Sequence, residues 1–323
     1  MLTRVVTGLV ASLLLVSLLA NFYLGGIVYS SMSGPSERVY RAGSESHRVV
    51  ILPIEGMIDD TTASFVRRSL DSLAKDPPAA LVLRVNSGGG LVSASDQIWH
   101  ALKEFKNQTN VPVVASFGAI AASGGYYVAA PADRIMAEQT TITGSIGVIA
   151  QAFTVERLLD KIGVTPEIVT SDAADQKDML NPMRSWTEED RAKLRTILNA
   201  AHQRFVDVVA DGRSTVLSKQ EVEKLATGEV FTAGKARDKD LVDSLGYLDD
   251  AVAEAAGLAN VPPGVKPKVT VIREPAGLIG LGILGQSPAG GSPDISRFDF
   301  EAENVRSWLS EMAIPRLEYR WYP

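Results

Sequence analysis

The 323-residue chain contains no cysteine. That excludes a disulfide framework, a thiolate metal site and a cysteine nucleophile, and it fits any redox compartment. Histidine is nearly as scarce. His47, His100 and His202 are the only three, and none stands in metal-ligand spacing with another. Basic residues are outnumbered, 32 Lys and Arg against 38 Asp and Glu, for a formal charge of −6. They are scattered rather than clustered, so no nucleic-acid partner is expected. No internal repeat is found. What remains is a globular composition, 46% hydrophobic and 22% charged, long enough to bury a core.

Charge is also missing locally. From Val5 to Tyr29 no charged residue occurs, which exceeds the roughly 20 apolar residues that cross a bilayer. A cleaved secretory signal has a shorter apolar region of about 7–15 residues, and no clean small-x-small site precedes Glu37. Residues 5–30 are therefore expected to be an uncleaved transmembrane anchor, and residues 31–46 a polar linker. Arg4 favours an N-inside orientation, whereas Arg38, Arg41 and Arg48 follow the span, so charge decides it weakly. The expected placement is the cell membrane, single-pass, with the main domain on the extracytoplasmic side.

Beyond the linker, short apolar runs alternate with helical patterns. Val49–Ile54, Ala80–Val85, Val111–Ser116, Arg134–Ala137 and Glu167–Thr170 read as strands. Thr62–Leu73, Ser93–Phe105, Ala121–Ala130 and Val155–Ile162 read as helices. Such alternation predicts an α/β domain with a mostly parallel sheet and right-handed crossovers. From Thr187 the pattern turns helical, opened by an N-cap and an acidic first turn at Glu188, Glu189 and Asp190. Further helices are expected at Lys219–Ala226 and from Leu248 to Ala256, and an edge strand at Val269–Ile272. Gly277–Gly291 reads as a linker, Trp308–Met312 as a short helix.

Three segments carry chemistry. Asn86-Ser87-Gly88-Gly89-Gly90 ends a strand, where ligands of open α/β sheets bind. Its glycines either make a tight turn or let backbone N–H groups face a developing anion. Ser123 lies in Gly118-Ala119-Ile120-Ala121-Ala122-Ser123-Gly124-Gly125-Tyr126-Tyr127, between a strand and a helix. It is a helix cap or a nucleophile cleared by small neighbours. Ser171–Trp186 is a polar loop containing Lys177. A serine nucleophile needs a base; His100 and His202 follow no triad pattern, whereas a lysine serves if burial removes its charge. A lone lysine is more often simply solvated.

Taken together, these segments resemble the short form of the signal peptide peptidase A family, serine–lysine peptidases of family S49 with a ClpP/crotonase-like fold. The resemblance spans about residues 48–256. It is carried by Ser87–Gly90, by Ala121–Tyr127, and by Thr143-Gly144-Ser145-Ile146-Gly147-Val148. Lys177-Asp178-Met179-Leu180-Asn181-Pro182 and Phe231-Thr232-Ala233-Gly234-Lys235-Ala236 complete it. The resemblance implies a ClpP/crotonase-like β/α superhelical core with C-terminal helices, at residues 47–258, with a Gly-rich extension at 259–323. It implies Ser123 as nucleophile, Lys177 as general base and Ser145 as the residue orienting that lysine. The backbone N–H groups of Gly90 and Gly124 would form the oxyanion hole.

By the same resemblance no cofactor or metal is involved. The substrates are peptides, namely cleaved signal peptides and unfolded exported proteins. The assembly is a homo-oligomeric ring whose lysine reaches a neighbour's serine. Gly88 departs from the family, which usually has proline there, and so the glycine loop is expected to be looser. Two rivals stand beside a protease: a membrane-tethered peptide-binding scaffold without activity, and a crotonase-type acyl-CoA enzyme. The Tyr/Trp-rich end of the chain, Pro315–Pro323, is expected to dock on an adjacent subunit.

Overall fold

The computed structural model describes residues 8, 12–25, 35–274 and 316–320. The described residues 12–25 are helical (α1), with Leu13, Leu18 and Phe22 exposed. Among the described residues no helix is long and apolar enough to cross a membrane. Apart from residue 8, the rest of the expected 5–30 anchor lies outside them.

A mixed sheet organises the chain. Its central strands are β2 (Ser44–Ile58), β3 (Ala80–Leu91), β4 (Val113–Ala122) and β5 (Arg134–Ala137). They pair in parallel in that order, and β5 pairs in parallel with β9 (Ser244–Leu245). Helix α2 (Asp60–Lys75) joins β2 to β3, and α3 (Val92–Thr109) joins β3 to β4. Near-continuous apolar runs make the central strands because both faces of the sheet are covered. Val50, Leu52, Ile54, Leu81, Leu83 and Val85 point into the larger core, against α2 and α3. Their neighbours Val49, Ile51, Ala80 and Val82 point to a second core, against Ala251, Val252 and Ala255 of α9 (Leu248–Leu258). The period of two is that of a strand.

Several elements differ from the sequence reading. Ser36–Arg41, inside the expected linker, forms β1 and pairs antiparallel with β10 (Pro267–Arg273). Strand β10 is not an edge strand: it lies between β1 and β2. Its polar residues hid that position, because Thr270 is buried yet accepted by a partner, donating its Oγ1 proton to Glu37 at 2.7 Å. Glu167–Thr170 has no strand; the segment is irregular and Val169 is exposed. Trp308–Met312 and Gly277–Gly291 lie outside the described residues.

Local signals that involve backbone chemistry held. Thr187 and Asp190 form a reciprocal capping box at the start of α6 (Glu188–Gly212), as Ser218 and Glu221 do for α7 (Lys219–Leu225). These satisfy N–H groups that a helix start leaves without partners.

Candidate active site

The glycine strand, the Ser123 turn and the Ser145 turn meet at the C-terminal ends of β3, β4 and β6 (Ile142–Gly144). Ala121 and Ala122, alanines with helical propensity, belong instead to β4. There they pair with Thr143 and Gly144 of β6, so β4 is longer and α4 (Gly124–Ala129) shorter than the sequence suggested. Ser123 is left alone at the strand-to-helix junction.

Its geometry separates the two readings of this serine. Ser123 occupies the N-cap position of α4, but its side chain makes no capping hydrogen bond. Its φ of 54° and ψ of −119° lie where a non-glycine residue is strained. The residue is 1% exposed, and among the described residues its Oγ has no hydrogen-bond partner. A buried, unpaired hydroxyl costs about 1–3 kcal/mol, so it stabilises nothing locally. The backbone holds the turn: Ser123 N–H donates to Gly144 O at 2.8 Å, and Tyr127 N–H to Ser123 O at 2.9 Å. Below it, Tyr126 donates to Leu241 O at 2.7 Å and Tyr127 to Asp96 at 2.5 Å. Burial pushes the Tyr126 phenol well above its ordinary value of 10.0, so it stays a neutral donor.

The two proposed oxyanion donors are neighbours. A Cβ on Gly124 would stand 3.1 Å from Gly90 N and 2.7 Å from Ser95 Oγ, while one on Gly90 would overlap Ile58 O at 2.1 Å. Only glycine permits this approach of three backbones. The loop is tied down despite Gly88. Ser87 Oγ donates to Gly56 O at 2.6 Å and accepts Gly89 N–H at 3.0 Å. Sequence reading placed Ser87 in the loop without seeing that it fastens it. It missed Ser95 altogether: a fully buried hydroxyl of α3 with no partner among the described residues, indistinguishable in sequence from a small packing residue.

Ser145 is buried, with φ of 51°, one residue beyond the Ala122–Gly144 pair. It therefore flanks Ser123 on the adjoining parallel strand. Its N–H donates to Glu229 O at 2.7 Å. Lys177 stands apart. It is exposed on a single 3-10 turn, Asp175–Asp178, and within one chain it is not paired with Ser123. Of the two histidines set aside as bases, His100 faces Glu104 at 3.6 Å on the surface, and His202 is half-buried in α6.

The lysine loop is nonetheless fastened. Arg184 donates to Asp178 at 2.8 Å and to Asp190 at 2.6 Å, linking the loop to the α6 capping box. The hydrogen bonds from Arg184 hold both carboxyls below the ordinary 3.8 of an aspartate. A group with a depressed folded pKa stabilises fully above its unfolded pKa, and loses that stabilisation as pH falls through the folded value. The loop is thus expected to stay fastened through the neutral and mildly acid range, and to release only as pH falls below the ordinary 3.8 of an aspartate. Trp186 fluorescence, isolated by difference against Trp186→Phe, follows it. Arg184→Met is expected to show the released signal already at neutral pH.

A cleft of about 710 Å³ opens beside the glycine strand, lined by Leu91, Val92, Ser93, Tyr127 and Arg204 among others. The arrangement offers a buried hydroxyl without a hydrogen-bond partner among the described residues and two apposed backbone N–H sources.

Comparisons with known proteins cover the same part of the chain. The model of peptidase family S49 matches residues 105–262, and that of the NfeD1b N-terminal domain matches 48–157. A relative from Synechocystis sp., provisionally named protease slr0021, is 36% identical over 236 residues, covering 73% of this chain and 83% of that protein. One from Enterococcus faecium, provisionally named signal peptide peptidase SppA, is 33% identical over 72% of this chain and 70% of its own length. The chloroplastic serine protease SPPA of Arabidopsis thaliana is 36% identical over 60% of this chain, but over only 28% of that larger protein.

Proposed function

The chain belongs to peptidase family S49 and is a serine protease, and from that premise we propose that Ser123 and Lys177 are its catalytic dyad. One observation carries the reading: Ser123 is a strained, buried serine at a helix start that it does not cap. A hydroxyl kept at such cost in a protease suits a nucleophile. Ser123 Oγ attacks the scissile carbonyl carbon while the neutral Lys177 amine takes its proton. The oxyanion is received by the N–H groups of Gly90 and Gly124. The lysine then gives the proton to the leaving amine, and an acyl-enzyme remains. Water, deprotonated by the same lysine, hydrolyses it.

Because Lys177 is exposed in one chain, the base is supplied across a subunit contact, in a homo-oligomeric ring. Burial in that contact favours the neutral amine, and Ser145 orients it. The core, residues 47–258, is of the ClpP/crotonase type. Residues 5–30 anchor it in the cell membrane, a reading supported by the uncharged run from Val5 to Tyr29. The catalytic domain then lies on the extracytoplasmic side and degrades cleaved signal peptides and misfolded exported chains. The relatives named as signal peptide peptidases support this substrate class. A substrate lies extended along the glycine strand as an added strand.

Cleavage of a fluorogenic apolar peptide by the full-length protein in detergent tests the reading. Wild type is expected to cleave it, and a protein that assembles but never cleaves would be the scaffold instead. Ser87→Ala is expected to lower kcat about tenfold, because losing bonds worth about 1–1.5 kcal/mol lets Gly89 and Gly90 drift from the oxyanion. Steady-state kinetics check it, and an unchanged kcat would show that the loop needs no such fastening.

A further inference from the structure

Ser69, Ser87, Ser95, Ser116 and Ser123 are each no more than 1% exposed. Three of them have hydrogen-bond partners. Ser69 Oγ donates to Phe65 O at 2.8 Å, Ser87 Oγ donates to Gly56 O at 2.6 Å, and Ser116 Oγ accepts from Arg84 at 3.0 Å. Ser95 and Ser123 have none among the described residues. Ser69 shows what a buried serine inside a helix ordinarily does, which is to bond the carbonyl four residues earlier. Ser95, in α3, does not make the equivalent bond to Leu91 O. Nor does it cap the helix, which begins at Leu91 without a side-chain cap.

The two orphaned hydroxyls meet at one residue. Gly124 follows Ser123 in the chain, and a Cβ on it would stand 2.7 Å from Ser95 Oγ and 3.1 Å from Gly90 N. The Ser95 hydroxyl and the Gly90 amide therefore crowd the same point beside Gly124. Helix geometry brings the hydroxyl there. Ser95 lies in the first turn of α3, which starts at Val92 where the glycine strand ends at Leu91. Helical side chains tilt toward the N-terminus, so Ser95 leans back toward that strand end. An oxyanion held by Gly90 and Gly124 lies about 3 Å from each N–H donor. A hydroxyl at their junction can rotate its proton onto the same oxygen.

We propose that Ser95 is a catalytic residue, whose hydroxyl is a third donor to the oxyanion beside the N–H groups of Gly90 and Gly124. The inference rests on the reading of Ser123 as nucleophile. A donor without an acceptor in the resting protein gains one as the carbonyl oxygen takes up charge. Its contribution therefore falls on the transition state and not on substrate binding.

Ser95→Ala in the full-length protein is expected to lower kcat for a fluorogenic apolar peptide about 100-fold with KM unchanged. Alanine is smaller and favours a helix, and it removes a hydroxyl that has no partner among the described residues, so Tm is expected not to fall. An apolar peptide aldehyde and the matching alcohol give a readout that packing alone would not split. Ser123 Oγ adds to the aldehyde carbon, its proton passes to Lys177, and the former carbonyl oxygen carries the negative charge in the oxyanion site. The alcohol has no carbonyl and forms no such adduct. Ser95→Ala is expected to weaken the aldehyde about 100-fold and the alcohol by no more than about twofold. Equal weakening of both, or a lowered Tm, would make Ser95 a structural serine and overturn the proposal. Unchanged kcat and aldehyde affinity would overturn it as well. Fluorophosphonate labelling of the wild type separates this failure from that of the catalytic reading. A label on Ser123 with Ser95→Ala behaving as wild type removes only the third donor, whereas a label on another serine removes both.

Discussion

Ser123→Ala is expected to abolish peptide cleavage, lowering kcat/KM by about 10,000-fold or more, while making the protein more stable. The first effect follows from losing the only atom that forms the acyl bond. What remains is catalysis by backbone donors and binding alone. The second follows from burial. Among the described residues the hydroxyl is removed from water without a partner, at a cost of about 1–3 kcal/mol. Alanine at the same φ of 54° keeps the backbone strain and drops the desolvation cost. A rise of about 2–4 °C in Tm per kcal/mol is expected for a domain of this size. Kinetics and calorimetry on one preparation check both. Loss of activity with a fall in Tm would point to a structural serine.

Lys177 should matter nearly as much, since a nucleophile and its base act as a unit. Lys177→Ala is expected to lower kcat by about 1,000-fold or more. Lys177→Arg should rescue nothing, because a guanidinium keeps its proton at any working pH. A residue needed only for charge would be rescued by arginine, so this pair of variants separates base from cation. The exposed position of Lys177 in one chain adds a sharper expectation. Assemblies mixed one to one from Ser123→Ala and Lys177→Ala subunits should regain about a quarter of wild-type activity, since in the proposed ring each contact joins one subunit's serine to the next one's lysine. Mixed assemblies as dead as their parents would place the base within the same chain.

How far the sequence showed this site depends on which interactions make each part. The central strands were legible because burial on both faces leaves long β-branched runs, as at Val49–Ile54. The caps were legible because Thr187 and Asp190 answer a local need of the helix start. Glycine and serine placement marked the Ser123 turn, since only small residues fit where Gly124, Gly125, Gly90 and Ser87 converge. Pairings between distant segments left weaker traces. Strand β1 reads as linker because its residues are exposed and polar, and what orders it is β10, more than two hundred residues away. The boundary at Ser123 shifted because tertiary pairing with β6 outweighed the helical propensity of Ala121 and Ala122. The Tyr/Trp-rich end reads as docking on an adjacent subunit, whereas Glu318, Tyr319 and Arg320 pair with Leu91, Gly90 and Gly89 of the same chain, a backbone register that side chains do not announce.

The central claim, that Ser123 is the nucleophile, is tested most directly by treating the full-length protein with a serine-reactive fluorophosphonate and mapping the adduct by mass spectrometry. One adduct per reactive chain is expected, on the peptide that contains Ser123, with none in Ser123→Ala. An adduct on another serine, or labelling undiminished in Ser123→Ala, would contradict the assignment.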